Sequence, residues 1–439
     1  HISVRNLVEF IFREGDIDNR SSRAMSVDAM MEGTRIHRKI QGSMGKEYQA
    51  EVPLSLVVEG DLYELTVEGR ADGIFTEDGK CFVDEIKGMY RKVELFEKPV
   101  FVHRAQAMCY AYIFALQNNM ETIGIQMTYC NLETEQTKYF REEFSFEEIK
   151  KWFDDLMEEY GKWATFQCEM KNQRQASIKE LDFPFEYRPG QKKLVSDVYR
   201  TIMRQKLLFM QAPTGVGKTI STIFPAVKAV GEELADRIFY LTAKTITATV
   251  AKETFALLEK NGYRAKTIQI TAKEKLCPCD EMECNPVTCP YAKGHFDRVN
   301  DAVFDLLHRC EMIERDDILS QADRYTVCPF ELCLDTASWC DNIICDYNYV
   351  FDPNVYLKRF FQEGIKGDYI FLIDEAHNMV ERSRQMYSAQ IYKEDFLTVK
   401  RIMKEHSRSI EKALEKCNKI LLGMKRECEN YTVYDTFGN

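Results

Sequence analysis

The sequence predicts an α/β protein of at least two domains, and three observations lead to this prediction. The chain has 439 residues, more than a single hydrophobic core usually serves. Helical and strand-like runs alternate throughout its first part. After residue 185 the strand-like runs become short and continuously apolar: "LLFMQ", "RIFYLTA", "TIQIT", "NIICDY" and "YIFLID". Such runs, separated by helices, are typical of parallel strands buried on both faces. Between one of these runs and a helix lies the glycine-rich turn "APTGVGKT", which is typical of a phosphate-binding loop.

The composition narrows the class of protein. Hydrophobic residues make up 45% and charged residues 29%, as in soluble globular proteins. No apolar run approaches the roughly 20 residues of a membrane span, and the first residues show no secretion signal, so we expect no membrane association and a cytoplasmic or nucleoid-associated location. The net charge of −11 argues against coating nucleic acid by bulk charge, although a local basic groove remains compatible with it.

The first domain is predicted to span residues 1–165. A helix at about 26–43 precedes the strand-like runs "EVPLSLVV", "LYELTVEG" and "CFVDEIKG", a helix follows at about 102–118, and the strands "IGIQMTYC" and "TKYFREEF" come next. Ser145 and Glu148 have capping-box spacing and open a further helix. Residues 166–184 lose periodicity, which predicts a linker.

The second predicted domain comprises residues 185–275 and 341–380, and its phosphate loop comes first. Gly215 and Gly217 let the backbone curl so that N–H groups face phosphate oxygens, Lys218 reaches the outer phosphates of ATP, and Thr219 holds Mg²⁺. The common pattern begins with glycine where this chain has alanine. The predicted nucleotide-binding loop consists of Ala212, Pro213, Thr214, Gly215, Val216, Gly217, Lys218 and Thr219.

The run "YIFLIDEAHN" supplies the second half of this site. An acidic pair at the end of a buried strand suits Mg²⁺ coordination by Asp374 and activation of water by Glu375, and His377 follows two residues later. With these motifs the chain resembles superfamily 2 helicases of the DEAH type.

The same resemblance assigns two further motifs. It implies that Gln191 in "EYRPGQ" contacts adenine, and that Thr242 and Lys244 in "YLTAKT" contact a nucleic-acid backbone. The alternative for the second motif is an ordinary turn from a strand into a helix.

Nine of the fifteen cysteines fall between Cys277 and Cys345. Without a secretory signal, a reducing compartment is expected and disulfides are disfavoured. Four-cysteine zinc sites usually contain C-x₂-C pairs, which the closely spaced cysteines at 277–289 lack, and cysteine-only ligation also suits an iron–sulfur cluster. The chemistry alone leaves zinc and iron–sulfur about equally favoured.

The surroundings of the cysteines resemble the XPD/DinG group of iron–sulfur helicases: "EKLC", "CPYAK", "CPFELC" and "DNIICDYNYVFDP" precede "DEAHN". This resemblance implies a RecA-like motor domain 1 with an iron–sulfur insertion at 276–340. It also implies ATP-driven 5′→3′ movement on single-stranded or forked DNA. Lys273 is then a candidate DNA contact, or else an ordinary solvated lysine. Cys279 is left over from the implied 4Fe–4S ligands, which are Cys277, Cys284, Cys289 and Cys328.

A second candidate site lies in the first domain. By the period of a strand, Glu85 and Lys87 share one face. With Asp72, which is expected at a junction between a strand and a turn, they are suited to hold a divalent metal and to orient or deprotonate water. Acidic residues on a hairpin are more often simply solvated. The full set, in this order, resembles RecB-like nucleases of the PD-(D/E)xK fold, which implies a Mn²⁺ or Mg²⁺ site. That set comprises His37, Asp72, Glu85 and Lys87 with supporting Gln106 and Tyr110.

Residues 381–439 are predicted to begin a helical arch domain, and no second motor domain follows. We therefore expect a fragment or an unusually early end, with the second motor domain as a required partner. The leading hypothesis is an iron–sulfur DNA helicase combined with a metal-dependent nuclease, acting in DNA repair or processing. The alternative is a non-catalytic DNA-binding regulator or scaffold with a zinc-stabilised insert. The oligomeric state is left open.

Overall fold

The computed structural model describes residues 1–20, 27–45, 47–213, 215–243, 245–362 and 365–431. These form two compact units. The first unit comprises residues 1–347 and 357–375, and the second comprises residues 348–356 and the chain from residue 376 onward. Among the described residues no helix is both long and apolar enough to cross a membrane.

The first domain is built on a six-stranded mixed sheet in the order β1-β3-β4-β5-β6, with β2 paired to β3. The β4–β5 and β1–β3 pairs are parallel, and the remaining pairs are antiparallel. Its elements are β1 (Ile2–Ser3), α1 (Val4–Ile11), α2 (Val27–Ser43), β2 (Gln49–Glu59), β3 (Glu64–Glu77), β4 (Lys80–Met89), α3 (Phe101–Gln117), β5 (Thr122–Asn131), β6 (Thr137–Ser145) and α4 (Phe146–Glu180).

The predicted order of elements in this domain is observed, with two differences. The short elements β1 and α1 were not predicted, although Val4, Leu7 and Val8 of α1 are fully buried in the domain core. Asp72 was expected at a junction between a strand and a turn, whereas it lies inside β3. The ladder between β3 and β4 runs from Glu77 only as far as Gly73, so Asp72 stands where the two strands separate.

The predicted linker at 166–184 is wrong in its structure, because α4 continues through most of it. This 35-residue helix starts with the predicted capping box, in which the Ser145 hydroxyl and the Glu148 carboxylate each bond the other's backbone N–H. Near its end, Arg174 and Ile178 are buried against the motor domain rather than solvated. Tertiary packing therefore stabilises a segment whose apolar periodicity is weak.

The motor domain is built on a five-stranded, fully parallel sheet in the order β11-β7-β10-β8-β9. This confirms four predicted strands, and β9 adds a fifth from within the cysteine-rich insertion. The elements of this part are α5 (Gln191–Met203), α6 (Lys218–Gly231), β7 (Arg237–Thr242), α7 (Thr245–Lys260), β8 (Thr267–Gln269), α8 (Val299–Arg309), β9 (Met312–Ile313), α9 (Arg315–Tyr325), α10 (Pro329–Ala337), β10 (Asn342–Asp346) and β11 (Tyr369–Ile373), with short helical turns at Lys273–Leu276 and Lys358–Phe361.

The strand predicted for "LLFMQ", residues 207–211, is not formed. These residues have no regular secondary structure, and Leu207 and Phe209 are each 89% exposed. Apolar residues give a run strand propensity, but a strand also needs a neighbour that pairs with its backbone N–H and C=O groups. Among the described strands, β11 pairs only with β7, so the segment does not extend the sheet there.

The second unit is helical, in line with the helical character predicted for its sequence. It contains a short helix at Asn348–Phe351, followed by α11 (Met379–Met386), α12 (Lys393–Met403) and α13 (Arg408–Arg426). The Ser407 hydroxyl caps α13 by accepting a hydrogen bond from the backbone N–H of Ile410. Lys400 of α12 forms an ion pair with Glu415 of α13.

Candidate functional site

The phosphate loop has the backbone shape that its glycines were predicted to permit. Gly215 and Gly217 have φ angles of +84° and +75°, in the left-handed region that residues with a Cβ rarely adopt. Gly217 is the N-cap of α6, and Lys218 is the first residue of that helix. The positive end of the helix dipole therefore faces the loop, which favours an anion there. Thr214 lies outside the described residues.

Gln191 holds the loop instead of projecting freely into solvent. Its side-chain amide donates to the Val216 carbonyl oxygen at 3.2 Å and to the Ser221 hydroxyl at 3.1 Å, and it accepts the Arg188 backbone N–H at 3.0 Å. The Arg188 guanidinium also bonds the Gly215 carbonyl oxygen. The sequence singled out Gln191 but missed Arg188, which stands three residues earlier in "EYRPGQ".

The acidic pair meets the phosphate loop, as the sequence predicted. Asp374 and Glu375 follow the last residue of β11, and Lys218 Nζ lies 3.6 Å from Glu375 Oε1. The Tyr347 hydroxyl bonds the carbonyl oxygens of Asp374 and Glu375, the latter at 3.2 Å, and so fixes the backbone after the strand. The sequence offered no signal for this tyrosine, because its partners lie 27 and 28 residues away.

Tyr240 of β7 joins the same site. Its hydroxyl bonds the side chains of Thr219 and Asp374, and burial first, then the Asp374 charge, raise its pKa. The two predicted Mg²⁺-binding side chains are thereby brought to one point at the carboxyl edge of the parallel sheet, where ligands bind in such folds. His377 belongs to the second unit.

The residues predicted to contact DNA have other protein residues as neighbours where the structure describes them. Thr242 ends β7 with only 4% of its surface exposed, and its hydroxyl faces that of Thr247. Lys244 lies outside the described residues. Lys273 borders the cysteine cavity, where its side chain bonds Cys284.

All five cysteines of the insertion that the sequence weighed as ligands converge. Cys277, Cys279, Cys284, Cys289 and Cys328 line a single cavity, together with residues that include Ile17 of the first domain. Cys279 Sγ lies 3.9 Å from Cys289 Sγ, so the residue set aside as left over stands among the predicted ligands. Cys333, Cys340 and Cys345, which the sequence did not weigh as ligands, are buried.

Two thiols of this cavity have raised pKa values, which favours their neutral form. Burial raises the pKa of Cys279 to about 12, with the neighbouring thiols adding to the effect, and burial raises the pKa of Cys328 to about 11. His295, which the sequence did not indicate, accepts the Cys328 backbone N–H at Nδ1. Clustered thiols with raised pKa values fit a metal centre, because a bound cation would compensate the thiolate charges.

The predicted nuclease residues also meet at one place. His37 Nδ1 lies 3.5 Å from Asp72 Oδ1, and the other Asp72 oxygen accepts the Ile86 backbone N–H at 2.7 Å, in place of the missing ladder contact. Lys87 Nζ lies 2.7 Å from Glu85 Oε1 and donates to Gln106 Oε1 at 3.3 Å.

Tyr110 completes this group from α3, where its hydroxyl bonds Gln106. It also approaches β3 so closely that a Cβ added at Gly69 would lie 2.5 Å from its hydroxyl oxygen. Only glycine fits at that position, and the tyrosine is held between the helix and the sheet.

Glu85 is the electrostatically strained member of this set. It is 1% exposed, its Oε2 has no hydrogen-bond partner, and burial raises its pKa to about 8, with the Asp72 charge adding to the effect. Asp72 raises the pKa of His37, although burial opposes the shift. An unpartnered buried carboxylate oxygen is costly, and a divalent cation would supply the missing partner.

Neither group forms a ready-made metal site. Across the part of the chain that the structure describes, no three or more His, Cys, Asp or Glu side chains are arranged to hold a metal ion. The side chains are neighbours, but ligation would require them to rotate.

Comparison with known proteins identifies one family within the chain and several relatives. Residues 256–396 match the DEAD_2 family. The regulator of telomere elongation helicase 1 of Rattus norvegicus is 20% identical over 248 residues, which cover 45% of this chain and 19% of that protein. The helicase subunit XPD/RAD3 of the general transcription and DNA repair factor IIH of Saccharomyces cerevisiae is 23% identical over 232 residues, covering 45% of this chain and 29% of the relative.

The chain thus spans about a fifth to under a third of the length of these relatives. A solved structure described as an XPD helicase is 17% identical, and the match covers 54% of this chain and 40% of that chain with a TM-score of 0.36. In its DEAD_2 region and over almost half of its length, this chain is similar to XPD-type superfamily 2 DNA helicases.

Proposed function

We propose that this chain serves in an ATP-dependent DNA helicase of the iron–sulfur type that also cuts DNA at a divalent-metal nuclease site, in DNA repair or processing. The observation that carries the helicase part is the meeting of Lys218 and Glu375, 3.6 Å apart, at the edge of a parallel sheet. The DEAD_2 match, which includes the acidic pair, supports the same conclusion.

In this proposal ATP lies on the loop at the start of α6. Lys218 binds the outer phosphates, Thr219 and Asp374 hold Mg²⁺, and Glu375 accepts a proton from the attacking water. The Lys218–Glu375 pair keeps the two side chains at the site before nucleotide binds. Gln191 and Arg188 support the loop from behind, and adenine recognition by Gln191 would require its amide to leave Val216 and Ser221.

Hydrolysis in such motors takes place between two motor domains, so a second motor domain is part of the proposal. We propose movement in the 5′→3′ direction on single-stranded DNA. A strand-displacement assay in the presence of a second motor domain, on forks with a single 5′ or 3′ tail, tests the direction. Displacement that requires the 3′ tail would contradict the proposed polarity.

The nuclease part is carried by the buried, unpartnered Glu85 Oε2 beside Asp72. We propose that Asp72, Glu85 and His37 hold Mn²⁺ or Mg²⁺, which supplies a polarised water and neutralises phosphate charge. Lys87 orients that water or the scissile phosphate, while Gln106 and Tyr110 hold Lys87 and the strand in place.

The test of the nuclease site compares two lysines of β4. Lys87→Ala removes the side chain that meets Glu85. Lys80→Ala removes an exposed lysine of the same strand, which pairs with Glu143 of β6 instead. End-labelled single-stranded and forked DNA is incubated with Mn²⁺ or Mg²⁺, with and without ATP. We expect cutting by the wild type and by Lys80→Ala and its loss in Lys87→Ala. Equal cutting by both variants would refute this site.

The insertion is proposed to hold a 4Fe–4S cluster through Cys277, Cys284, Cys289 and Cys328. Each iron of such a cluster takes one thiolate, and the convergence of these thiols on one cavity supports the assignment. Cys279 lies close enough to compete. Anaerobic purification tests the metal: brown protein with a broad band near ~400 nm is expected from iron–sulfur. Colourless protein that releases zinc would favour the scaffold hypothesis.

Single Cys→Ser substitutions identify the four ligands. Serine at a ligand position lowers the iron content, because its hydroxyl is not deprotonated near neutral pH as a thiol bound to metal is. We expect full iron content for Cys279→Ser and reduced content for Cys284→Ser. The reverse result would replace Cys284 by Cys279 in the ligand set.

A further inference from the structure

We propose that residues 13–19 of the first domain, here called the clamp segment, form one wall of the cysteine cavity and retain the metal centre inside it. The inference rests on the proposed cluster. It assigns to the nuclease-like domain a role in cofactor retention that neither its own site nor the DEAD_2 match implies.

The clamp segment is bonded to the insertion along its backbone. The Phe296 N–H donates to the Gly15 carbonyl oxygen at 3.0 Å, and the Ile17 N–H donates to that of Ala292 at 2.9 Å. The Asn19 N–H donates to the carbonyl oxygen of Cys284, a proposed ligand, at 2.9 Å. The contacts progress from Phe296 to Cys284 as the clamp segment runs forward, so the two segments run in opposite directions.

Two carboxylates reinforce these bonds, one from each side. Asp16 Oδ1 accepts the Gly294 N–H at 2.6 Å, and Asp297 Oδ1 accepts the Gly15 N–H at 2.7 Å. Hydrogen bonds to ionised acceptors are stronger than those between neutral groups. Between these bonds, the Ile17 side chain lines the cavity itself.

The other end of the ligand set is tied to the same segment. Arg13 donates to Asp335 Oδ2 at 2.8 Å and to Asn300 Oδ1 at 2.8 Å. Asp335 lies on α10, the helix that Cys328 caps at its N-terminus, and it is 6% exposed on its side chain. The clamp segment therefore contacts the chain beside Cys284 and the helix after Cys328.

An aromatic cluster adds apolar packing to the contact between the first domain and the insertion. Phe10 and Trp163 of the first domain pack on Trp339 and Phe304 of the insertion, with ring centroids 4.5 to 5.7 Å apart. Trp163 is 6% exposed. Aromatic pairs at such separations add to the burial of apolar area.

Retention of the cluster and contact of the clamp segment with the insertion must then be coupled in both directions. If the clamp segment lowers the rate or extent of cluster loss, the occupied cavity must in turn stabilise the clamp segment, because linkage between two binding events is reciprocal. Binding of the metal centre also requires thiolates, whose charges the closed cavity would hold away from water together with the cluster.

The experiment compares two aspartates of the same segment in the full chain, purified without oxygen. Asp16→Ala removes the acceptor of Gly294, whereas Asp18→Ala removes a side chain whose hydrogen bonds go to its neighbour Arg20. Iron release to a chelator is followed by the loss of absorbance near ~400 nm. We expect release from Asp16→Ala to be about tenfold faster than from wild type, the factor for losing one hydrogen bond to a charged acceptor. Asp18→Ala should match the wild type.

A second variant and a second readout guard against a folding defect. Asp297→Ala breaks the clamp from the insertion side and should accelerate release to a similar extent, with far-UV circular dichroism unchanged. Trypsin should cut after Arg13 in protein stripped of iron but not in loaded protein. Wild-type protein without iron would refute the proposed cluster. Loaded wild-type protein with equal release rates in all variants would refute the clamp.

Discussion

Arg174 provides the sharpest test of how the two domains are joined. The sequence predicted a linker at this point, whereas α4 carries Arg174 into the motor domain with 9% of its side chain exposed. Its guanidinium forms an ion pair with Asp341, the residue before β10, and donates to the Asp236 carbonyl oxygen at 3.2 Å. We predict that Arg174→Ala lowers the free energy of unfolding substantially.

The size of this effect follows from what is left behind. Removing one partner of a buried ion pair costs about 3–5 kcal/mol, since the remaining charge stays away from water without compensation. Asp341 is 16% exposed and keeps a hydrogen bond from the Lys266 backbone N–H at 2.8 Å. We therefore expect the lower end of the range, about 3 kcal/mol. Arg174→Met keeps the aliphatic part of the side chain. It therefore separates the effect of the lost charge on the free energy of unfolding from the effect of lost packing.

The measurement is urea unfolding followed by tryptophan fluorescence. Gln173→Ala is the matched control, because Gln173 is the preceding residue of the same helix and is exposed. Its effect should stay within about 0.5 kcal/mol, as is usual for surface substitutions. If Arg174→Ala is no more destabilising than Gln173→Ala, residues 166–184 behave as the linker that the sequence indicated.

Three further predictions concern the nucleotide site, the domain interface and acid stability. Lys218→Ala should weaken ATP binding at least about tenfold in a fluorescence titration, from loss of a charge-assisted bond, and a similar loss in Lys206→Ala, an exposed residue, would contradict the assignment. Trp163→Ala should cost about 3–5 kcal/mol in urea unfolding, and a cost near zero would refute the shared aromatic core. Burial lowers the pKa of His103 from 6.5 to about 4, so the unfolded chain binds a proton before the native state does, and stability should fall as the pH drops from about 6.5 to about 4. His103→Gln should flatten that decline in thermal melts, and identical pH profiles would count against it.

The parallel strands of the motor sheet and the meeting of its two motifs were predictable from local patterns. Continuously apolar runs such as "YIFLID" carry their own signal, and the carboxyl ends of parallel strands converge whatever lies between them. The proximity of Glu85 and Lys87 was predictable for a related reason, since the period of one strand puts them on the same face, whereas the other proposed nuclease residues were indicated only by the resemblance. Residues close in sequence, or repeated with a fixed period, are those that sequence patterns reveal.

What escaped prediction depends on contacts between distant parts of the chain. The clamp segment contacts the insertion some 280 residues away. Neither "EGDID" nor "AKGHFD" has a periodic pattern that would indicate this contact. The linker was wrong because several residues of this stretch that contact the motor domain are polar, including Arg174, Gln175 and Ser177, and polar residues do not reveal an amphipathic helix. The opposite error occurred at residues 207–211. Their apolar side chains predicted a strand, but the segment has no neighbouring strand to pair with among the described residues.

The length of α4 has a consequence for the DNA fragments that such a protein would release. Its 35 residues extend about 50 Å, from the core of the first domain, beneath the proposed nuclease residues, to the core beneath the phosphate loop. A flexible linker would let the proposed nuclease site contact many positions on a moving DNA strand. A continuous helix instead favours one distance between the motor and the nuclease site. If the motor and the cutter act on the same strand, the fragments should cluster around one size, and a helix shortened by whole turns should shift that size.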